Sequence, residues 1–246
     1  MSNNVSIVTG GVTGIGRAIA RYLVASGYTV IICDIDKKRG KRLEEKSENM
    51  KGTYKFEYCN VGKKEDIKKV ITDTKQKYGK VDVLVNNAGI IRRREEEEIS
   101  VKDWDEVFNV NSRGAFLFCK YVSEIMKEQK AGKIVNISSI AGKLGDITSA
   151  PGYGPSKAAL NTLTKTFARE LAPYNVTVNA IAPHAIKTEM SSEWSEEKRK
   201  RVIADIPMGR MGKPEEIAAV VMFLLSEGAN FITGEIIDVN GGFLMD

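Results

Sequence analysis

Short runs of valine, isoleucine and threonine recur along this chain with apolar side chains at successive positions rather than alternate ones. VSIVT at 5–9 and TVIIC at 29–33 come first, followed by similar runs at 54–59, 81–86, 133–137, 176–182 and 236–239. A strand that is apolar on both faces has to be covered on both faces. A parallel sheet sandwiched between helices meets that condition. The stretches between the runs have helical character. Residues 15–26 place Ile15, Ile19 and Leu23 at helical spacing. A helix over 101–129 is expected to open on Ser100-Val-Lys-Asp103, a capping box. Leu160, Leu163, Phe167 and Leu171 make one apolar face of a helix over 153–172. Pro214 suits the first turn of a last helix that turns Ile217, Val220, Val221, Leu224 and Leu225 inward. The alternation predicts an α/β fold: a Rossmann-type, doubly wound parallel sheet of about seven strands with helices on both faces. No composition break or linker divides residues 1–246, so one domain is expected.

Ligands of such sheets bind beyond the carboxyl ends of the strands. The first strand-to-helix loop is TGGVTGIG, residues 9–16, with Gly10, Gly14 and Gly16 in a GxxxGxG spacing. Glycines let a backbone approach a pyrophosphate, and a helix N-terminus offers that anion free N–H groups. The next strand ends at Asp34. An acid there can accept hydrogen bonds from ribose hydroxyls and repel a 2′-phosphate. Lys37, Lys38 and Arg39 pull the other way but lie farther along. The expected cofactor is therefore NAD(H) in preference to NADP(H).

Tyr153 and Lys157, in YGPSK, share one helix face. A phenol must fall about three units, roughly 4 kcal/mol, to be half ionised at neutral pH. One ammonium ion nearby supplies a comparable amount, about 4 kcal/mol at an effective dielectric of ~20. The pair is a sufficient acid–base device without histidine, of which His184 is the single example.

Residues 9–16, Asn86-Asn-Ala-Gly89, Asn111, Ser139 and Tyr153-x-x-x-Lys157 resemble, in that order, the signature of the short-chain dehydrogenase/reductase family. The resemblance covers essentially the whole chain. IAPHAIKTEM, IPMGRMGKPEEIA and ITGEIIDVNGG resemble in particular its 3-oxoacyl-acyl-carrier-protein reductase branch. The resemblance implies hydride transfer between a nicotinamide and a secondary alcohol or ketone. Tyr153 would exchange the proton and Ser139 would hydrogen-bond the same oxygen, with Ser138 the less favoured neighbour. Lys157 would tune Tyr153 and hold the nicotinamide ribose. Asn111 would interrupt its helix and position a relay water. Gly10, Thr13, Gly14, Ile15, Gly16, Asp34, Asn60, Val61, Asn87, Ala88 and Gly89 would line the adenosine and pyrophosphate side. Pro183, Ile186 and Thr188 would meet the nicotinamide side. Residues 189–213 would form a substrate lid, with Met190, Trp194 and Met208 as apolar contacts. A homotetramer is implied, with the helices at 101–129 and 153–172 and the tail Phe243-Leu-Met245 as contact surfaces.

Some positions depart from the family pattern. His184 stands where the family usually has glycine against the nicotinamide. It reads as a substrate contact, a surface residue, or a base in competition with Tyr153. Asn60 replaces a frequent aspartate at the adenine. Pro173-Tyr174-Asn175 lacks an arginine that the branch often turns toward the acidic carrier protein. The substrate is thus expected to be a small carbonyl or alcohol compound, thioester-linked or, in the alternative, a sugar or polyol oxidised with NAD. A non-catalytic dinucleotide sensor is disfavoured by the intact Asn111, Ser139, Tyr153 and Lys157.

The net charge is +5, but lysine and arginine are interspersed with glutamate. Arg92 to Glu98 reads as a solvated charged loop. No nucleic-acid partner is expected. The N-terminus has no basic and apolar leader and no run approaches the ~20 apolar residues of a membrane span, so a cytoplasmic location is expected. Cys33, Cys59 and Cys119 form no CxxC, and no metal site is expected.

Overall fold

The computed structural model describes residues 4–46, 50–93, 96–146 and 151–245. Strands β1 (Val5–Thr9), β2 (Thr29–Asp34), β3 (Thr53–Tyr58), β4 (Val83–Asn86), β5 (Gly132–Ile137), β6 (Val176–Pro183) and β7 (Ile236–Val239) form one parallel sheet in the order β3-β2-β1-β4-β5-β6-β7. The helices are α1 (Gly14–Ala25), α2 (Lys37–Glu45), α3 (Lys64–Tyr78), α4 (Val101–Phe108), α5 (Ala115–Gln129), α6 (Ala141–Leu144), α7 (Tyr153–Leu171), α8 (Glu189–Ser192), α9 (Glu196–Ala204) and α10 (Pro214–Leu225). The chain runs outward from β1 through β2 to β3, then crosses back to β4, so the sheet order reverses between β1 and β4. Loops leaving the two strands diverge there and open a crevice.

The near-continuous apolar runs have a direct explanation in the packing. Ile7, Leu84 and Ile134 enter one core with Ile67 of α3, Phe118 of α5 and Leu171 of α7. Val8, Ile32 and Val85 enter the other, with Ile19 and Leu23 of α1 and Ile217 and Val221 of α10. Neighbours along a strand therefore face opposite cores, and each buried aliphatic side chain contributes about 1.5–3 kcal/mol. A buried polar ladder crosses the middle: Asn86 Nδ2 donates to Asn136 Oδ1 at 2.8 Å, and Asn136 Nδ2 to Thr164 Oγ1 at 2.9 Å. It ties β4 and β5 to α7 beneath the site.

The helix expected over 101–129 is divided. The capping box is present, with Ser100 Oγ accepting from Asp103 N and the Asp103 carboxylate from Ser100 N. After α4, however, the six residues Asn109–Gly114 form a π-turn before α5 begins. Its cause is a long-range bond. The Asn111 carboxamide accepts from Ile90 N at 2.8 Å and donates to Ile90 O at 3.0 Å and to Ser156 Oγ at 3.0 Å. Gly114 faces Val61, whose carbonyl would lie 2.7 Å from any Cβ placed there. Elsewhere the differences are at ends: Cys59 falls just beyond β3, β4 starts at Val83, and β6 continues to Pro183. The stretch 189–213 folds as α8 and α9 with a loop leading to α10. Among the described residues, no helix is long and apolar enough to cross a membrane.

Candidate active site

A cavity of about 420 Å³ lies over the carboxyl ends of the strands, from Asp34 past the glycine loop to Tyr153 and Lys157. Its floor is the turn from β1 into α1. Gly10 has φ 62°, and a Cβ there would stand 2.9 Å from Ala88 Cα. Gly16 lies so close to the Gly10 carbonyl that no side chain fits between them. Asn87 clamps the loop by donating from Nδ2 to Thr9 O at 3.0 Å and Gly10 O at 2.9 Å. Thr9 Oγ1 in turn accepts from the amides of Asn87 and Ala88, both at 3.0 Å. Thr13 begins α1 without a side-chain cap, and no acid occupies the first turn. Free N–H groups and the positive end of the helix dipole are thus left for an anion. Asp34 is aimed by two amides, Val12 N at 3.3 Å and Asp36 N at 3.1 Å. This cradle suits a dinucleotide. Gly10, Thr13, Gly14 and Ile15 would receive its phosphates and Asp34 its adenosine ribose. Asn60 and Val61 line the adenine end, and Asn87, Ala88 and Gly89 the wall between. Asn60 Oδ1 is already held by Gly62 N at 2.9 Å.

At the other end of the cavity, Ser139 and Tyr153 line the same wall, near enough that the serine hydroxyl lowers the phenol's pKa, and Ser139 Oγ accepts from Ala141 N at 3.1 Å. Ser138 points away, donating to Asn161 Oδ1 at 2.6 Å. Lys157 is 4% exposed, sits 5.8 Å from the Tyr153 ring centre and donates to Ile137 O at 2.8 Å. Burial brings its ammonium down to about 8. Burial also raises the Tyr153 phenol, against the lowering effect of the Ser139 hydroxyl; Asp146 raises it further and Arg93 lowers it. The protein's own groups therefore leave Tyr153 protonated at neutral pH. This corrects the expectation that Lys157 alone acidifies it: desolvation of the phenolate dominates. Asn111 lies behind the cavity wall with its carboxamide committed to Ile90 and Ser156. Among the described residues, no group of three or more His, Cys, Asp or Glu is placed to hold a metal ion.

Sequence comparison agrees with this geometry. The profile of a family described as "Enoyl-(Acyl carrier protein) reductase" matches residues 10–244. A 3-oxoacyl-[acyl-carrier-protein] reductase of Thermotoga maritima is 40% identical over 245 residues, covering 100% of this chain and 99% of that protein. The enzyme of the same name from Aquifex aeolicus is 44% identical, covering 98% of each chain. The chain belongs to the short-chain dehydrogenase/reductase family. As a member of it, this protein is an oxidoreductase acting on a carbonyl or alcohol with a nicotinamide cofactor.

Within this short-chain dehydrogenase/reductase, Pro183, Ile186 and Thr188 line the cavity beside Lys157, and Met190 and Trp194 close it from α8 and the loop that follows. Met208 does not line it; this residue is 61% exposed and packs at Gly241. His184 also lines the cavity and is half-buried. Its ring lies 4.1 Å from that of Phe243, its Nε2 is buried and has no hydrogen-bond partner among the described residues, and burial lowers its pKa against the pull of Asp205. The ring is neutral at pH 7, packs against the tail at Phe243 and borders the cavity beside Pro183. His184→Gly is expected to lower the melting temperature by several degrees while turnover stays within about tenfold, as a lost packing contact and not a lost base. Thermal melts beside steady-state rates check this, and a near-complete loss of turnover at unchanged stability makes histidine the base.

Two features escaped the sequence reading. Arg93, taken with its neighbours for a solvated loop, turns into the cavity wall. Its Nη2 donates to Met190 O at 2.9 Å, and its guanidinium lies 5.8 Å from the Trp194 ring centre. Arg92 is paired with Glu106 at 2.7 Å, whereas 94–95 and the side chain of Glu96 lie outside the described residues. The only signal was a run of arginines starting three residues after Gly89, which does not mark which of them turns inward. Cys33 and Cys59, far apart in sequence, both lie at the adenine end, and the Cys59 thiol together with burial holds the Cys33 thiol well above its ordinary value.

Proposed function

We propose that this enzyme reduces a 3-oxoacyl thioester to the 3-hydroxyacyl thioester, using NADH. The observation that carries the reading is one cavity with Ser139, Tyr153 and Lys157 together at one end and an uncapped helix N-terminus at the other. The nicotinamide, when bound, supplies hydride to the carbonyl carbon. Tyr153 gives its proton to the carbonyl oxygen as charge develops there, and Ser139 donates a hydrogen bond to the same oxygen. Lys157 keeps a buried positive charge near the phenolate that results, and Asn111 holds the Ile90 backbone and the π-turn in place behind it. Ile186 and Thr188 would flank the nicotinamide. The names of the full-length relatives support the thioester substrate.

The preference for NADH rests on Asp34. Two of the three nearby cations are drawn elsewhere: Lys37 sits 4.6 Å over the Tyr58 ring centre, and Arg39 pairs with Asp36 at 3.5 Å. A 2′-phosphate about 4 Å from the carboxylate would lose up to ~4 kcal/mol. Wild type is therefore expected to favour NADH over NADPH by at least tenfold in kcat/KM, and Asp34→Ala to bring the ratio close to one. Preference of wild type for NADPH overturns this assignment. A second reading, oxidation of a sugar or polyol with NAD, is supported by the same carboxylate and by the missing arginine near Tyr174. A matrix of both cofactors with acetoacetyl thioesters, hexoses and polyols separates the two. We further propose a cytoplasmic homotetramer of single-domain subunits with 189–213 as a lid. Exposed apolar residues on the proposed surfaces, Trp104, Phe116 and Met245, support the assembly, while Phe243 is taken up by His184 within the chain.

A further inference from the structure

Ser139 and Tyr153 account for one oxygen of a substrate. Beyond them stands Arg93, in the cavity wall, 21% exposed at its side chain and near enough that its charge lowers the Tyr153 phenol. The arginine is gripped by the lid: Met190 O accepts from it, Glu193 pairs with it at 3.4 Å on the outer side, and the Trp194 ring lies beneath. Trp194 belongs to the same wall; its Nε1–H is buried beneath the cavity surface and, among the described residues, has no acceptor. A buried donor left unmatched is costly, and an indole N–H can be satisfied in no way other than by an acceptor. The two outer groups therefore form a donor pair, one of them charged, on the lid side of the Ser139–Tyr153 pair.

We propose that Arg93, with Trp194, receives a second substrate oxygen two carbons from the reacting carbonyl, and so selects 3-oxo compounds over simple ketones. The inference rests on the 3-oxoacyl reading and deepens it. In a 3-oxoacyl thioester the C3 oxygen meets Ser139 and Tyr153, and the C1 thioester oxygen meets the donor pair. The carboxylate of a free 3-oxo acid presents the same acceptor with a full charge. Because Arg93 also bridges to Met190, an occupied donor pair draws α8 and the following loop onto the substrate. The arginine is a specificity-determining residue in this account; no proton passes through it.

The test compares wild type, Arg93→Met and Arg93→Lys on three substrates with the preferred reduced cofactor: the acetoacetyl thioester of N-acetylcysteamine, acetoacetate, and 2-pentanone, which lacks the second oxygen. For Arg93→Met the ratio of kcat/KM for the preferred 3-oxo compound to that for 2-pentanone is expected to fall at least tenfold, mostly through KM. Arg93→Lys is expected to restore part of it. A merely structural arginine, or one that only tunes Tyr153, would depress all three substrates in parallel and leave the ratio unmoved; that result overturns the inference. Wild type acting on acetoacetate and not on the thioester keeps the inference and removes the thioester reading. Wild type acting on the thioester with an unmoved ratio in Arg93→Met removes the inference and keeps the reading. Binding of acetoacetate to wild type and Arg93→Met saturated with the oxidised cofactor, followed by calorimetry, decides the case without turnover. A tenfold weaker binding by the variant supports the donor pair, and equal binding or none to either overturns it.

Discussion

Tyr153→Phe is expected to lose at least 10³-fold in kcat while its affinity for the nicotinamide cofactor changes less than threefold. The substitution removes one oxygen and leaves the ring that lines the cavity. General acid catalysis by a positioned side chain is worth about 10²–10⁴, and the neutral Ser139 hydroxyl in the same cavity wall cannot deliver a proton of comparable acidity. The cofactor cradle is built from the β1–α1 turn and Asp34, on the far side of the cavity. Cofactor titration by fluorescence, set beside turnover, separates the two effects. Activity within tenfold of wild type would mean that another group supplies the proton.

The same phenol fixes the direction of the pH dependence. Burial raises Tyr153 above its ordinary value, so the neutral form that reduction requires persists through and above pH 8. Oxidation of the alcohol needs the phenolate as base, so its rate should climb with pH over the range in which reduction is flat. Pre-steady-state rates in the two directions between pH 6 and 10 would read this, and the dependence on alkali should vanish from the residual activity of Tyr153→Phe.

The sheet was legible because each apolar run carries its own signature. Ile7 and Val8 need opposite cores, and only a covered parallel sheet provides both. The glycine loop was legible for a similar local reason, since Gly10 and Gly16 mark close approaches within one turn. The π-turn at Asn109–Gly114 was not: its determinant is a bond from Asn111 to Ile90, across the chain. Arg93 was hidden in the same way. Its partners Met190, Glu193 and Trp194 are remote in sequence, and a run of like charges gives no sign of which member turns inward. The pairing of Tyr153 with Lys157 was read correctly as a shared helix face, but the sign of the phenol shift was not, because periodicity carries no information about desolvation.

That desolvation predicts an unusual outcome for Lys157→Met: a protein that is more stable and nearly inactive. The Lys157 ammonium is buried, with Ile137 O as its hydrogen-bond acceptor, and its pKa is brought down to about 8. In the unfolded chain it returns to about 10.4. Below pH 8 both states carry the proton, and the native state bears the full cost of holding the charge out of water, about 3 kcal/mol for a difference of this size. Between pH 8 and about 10.4 the unfolded state binds more protons than the native one, so wild-type stability should rise with pH across that window. Methionine fills a similar volume without the charge. It leaves the Ile137 carbonyl without this donor, which offsets about 1 kcal/mol or more. The net gain at pH 7 is about 1–2 kcal/mol, or roughly 2–8 °C in melting temperature at 2–4 °C per kcal/mol. Turnover should fall about 10²-fold or more, since the phenolate formed at Tyr153 loses the cation buried beside it. Thermal melts of both proteins from pH 6 to 10 give the decisive comparison. The rise with pH should be present in wild type and absent in Lys157→Met. A variant that melts lower than wild type at pH 7 would show that the ammonium is held by interactions stronger than its burial cost.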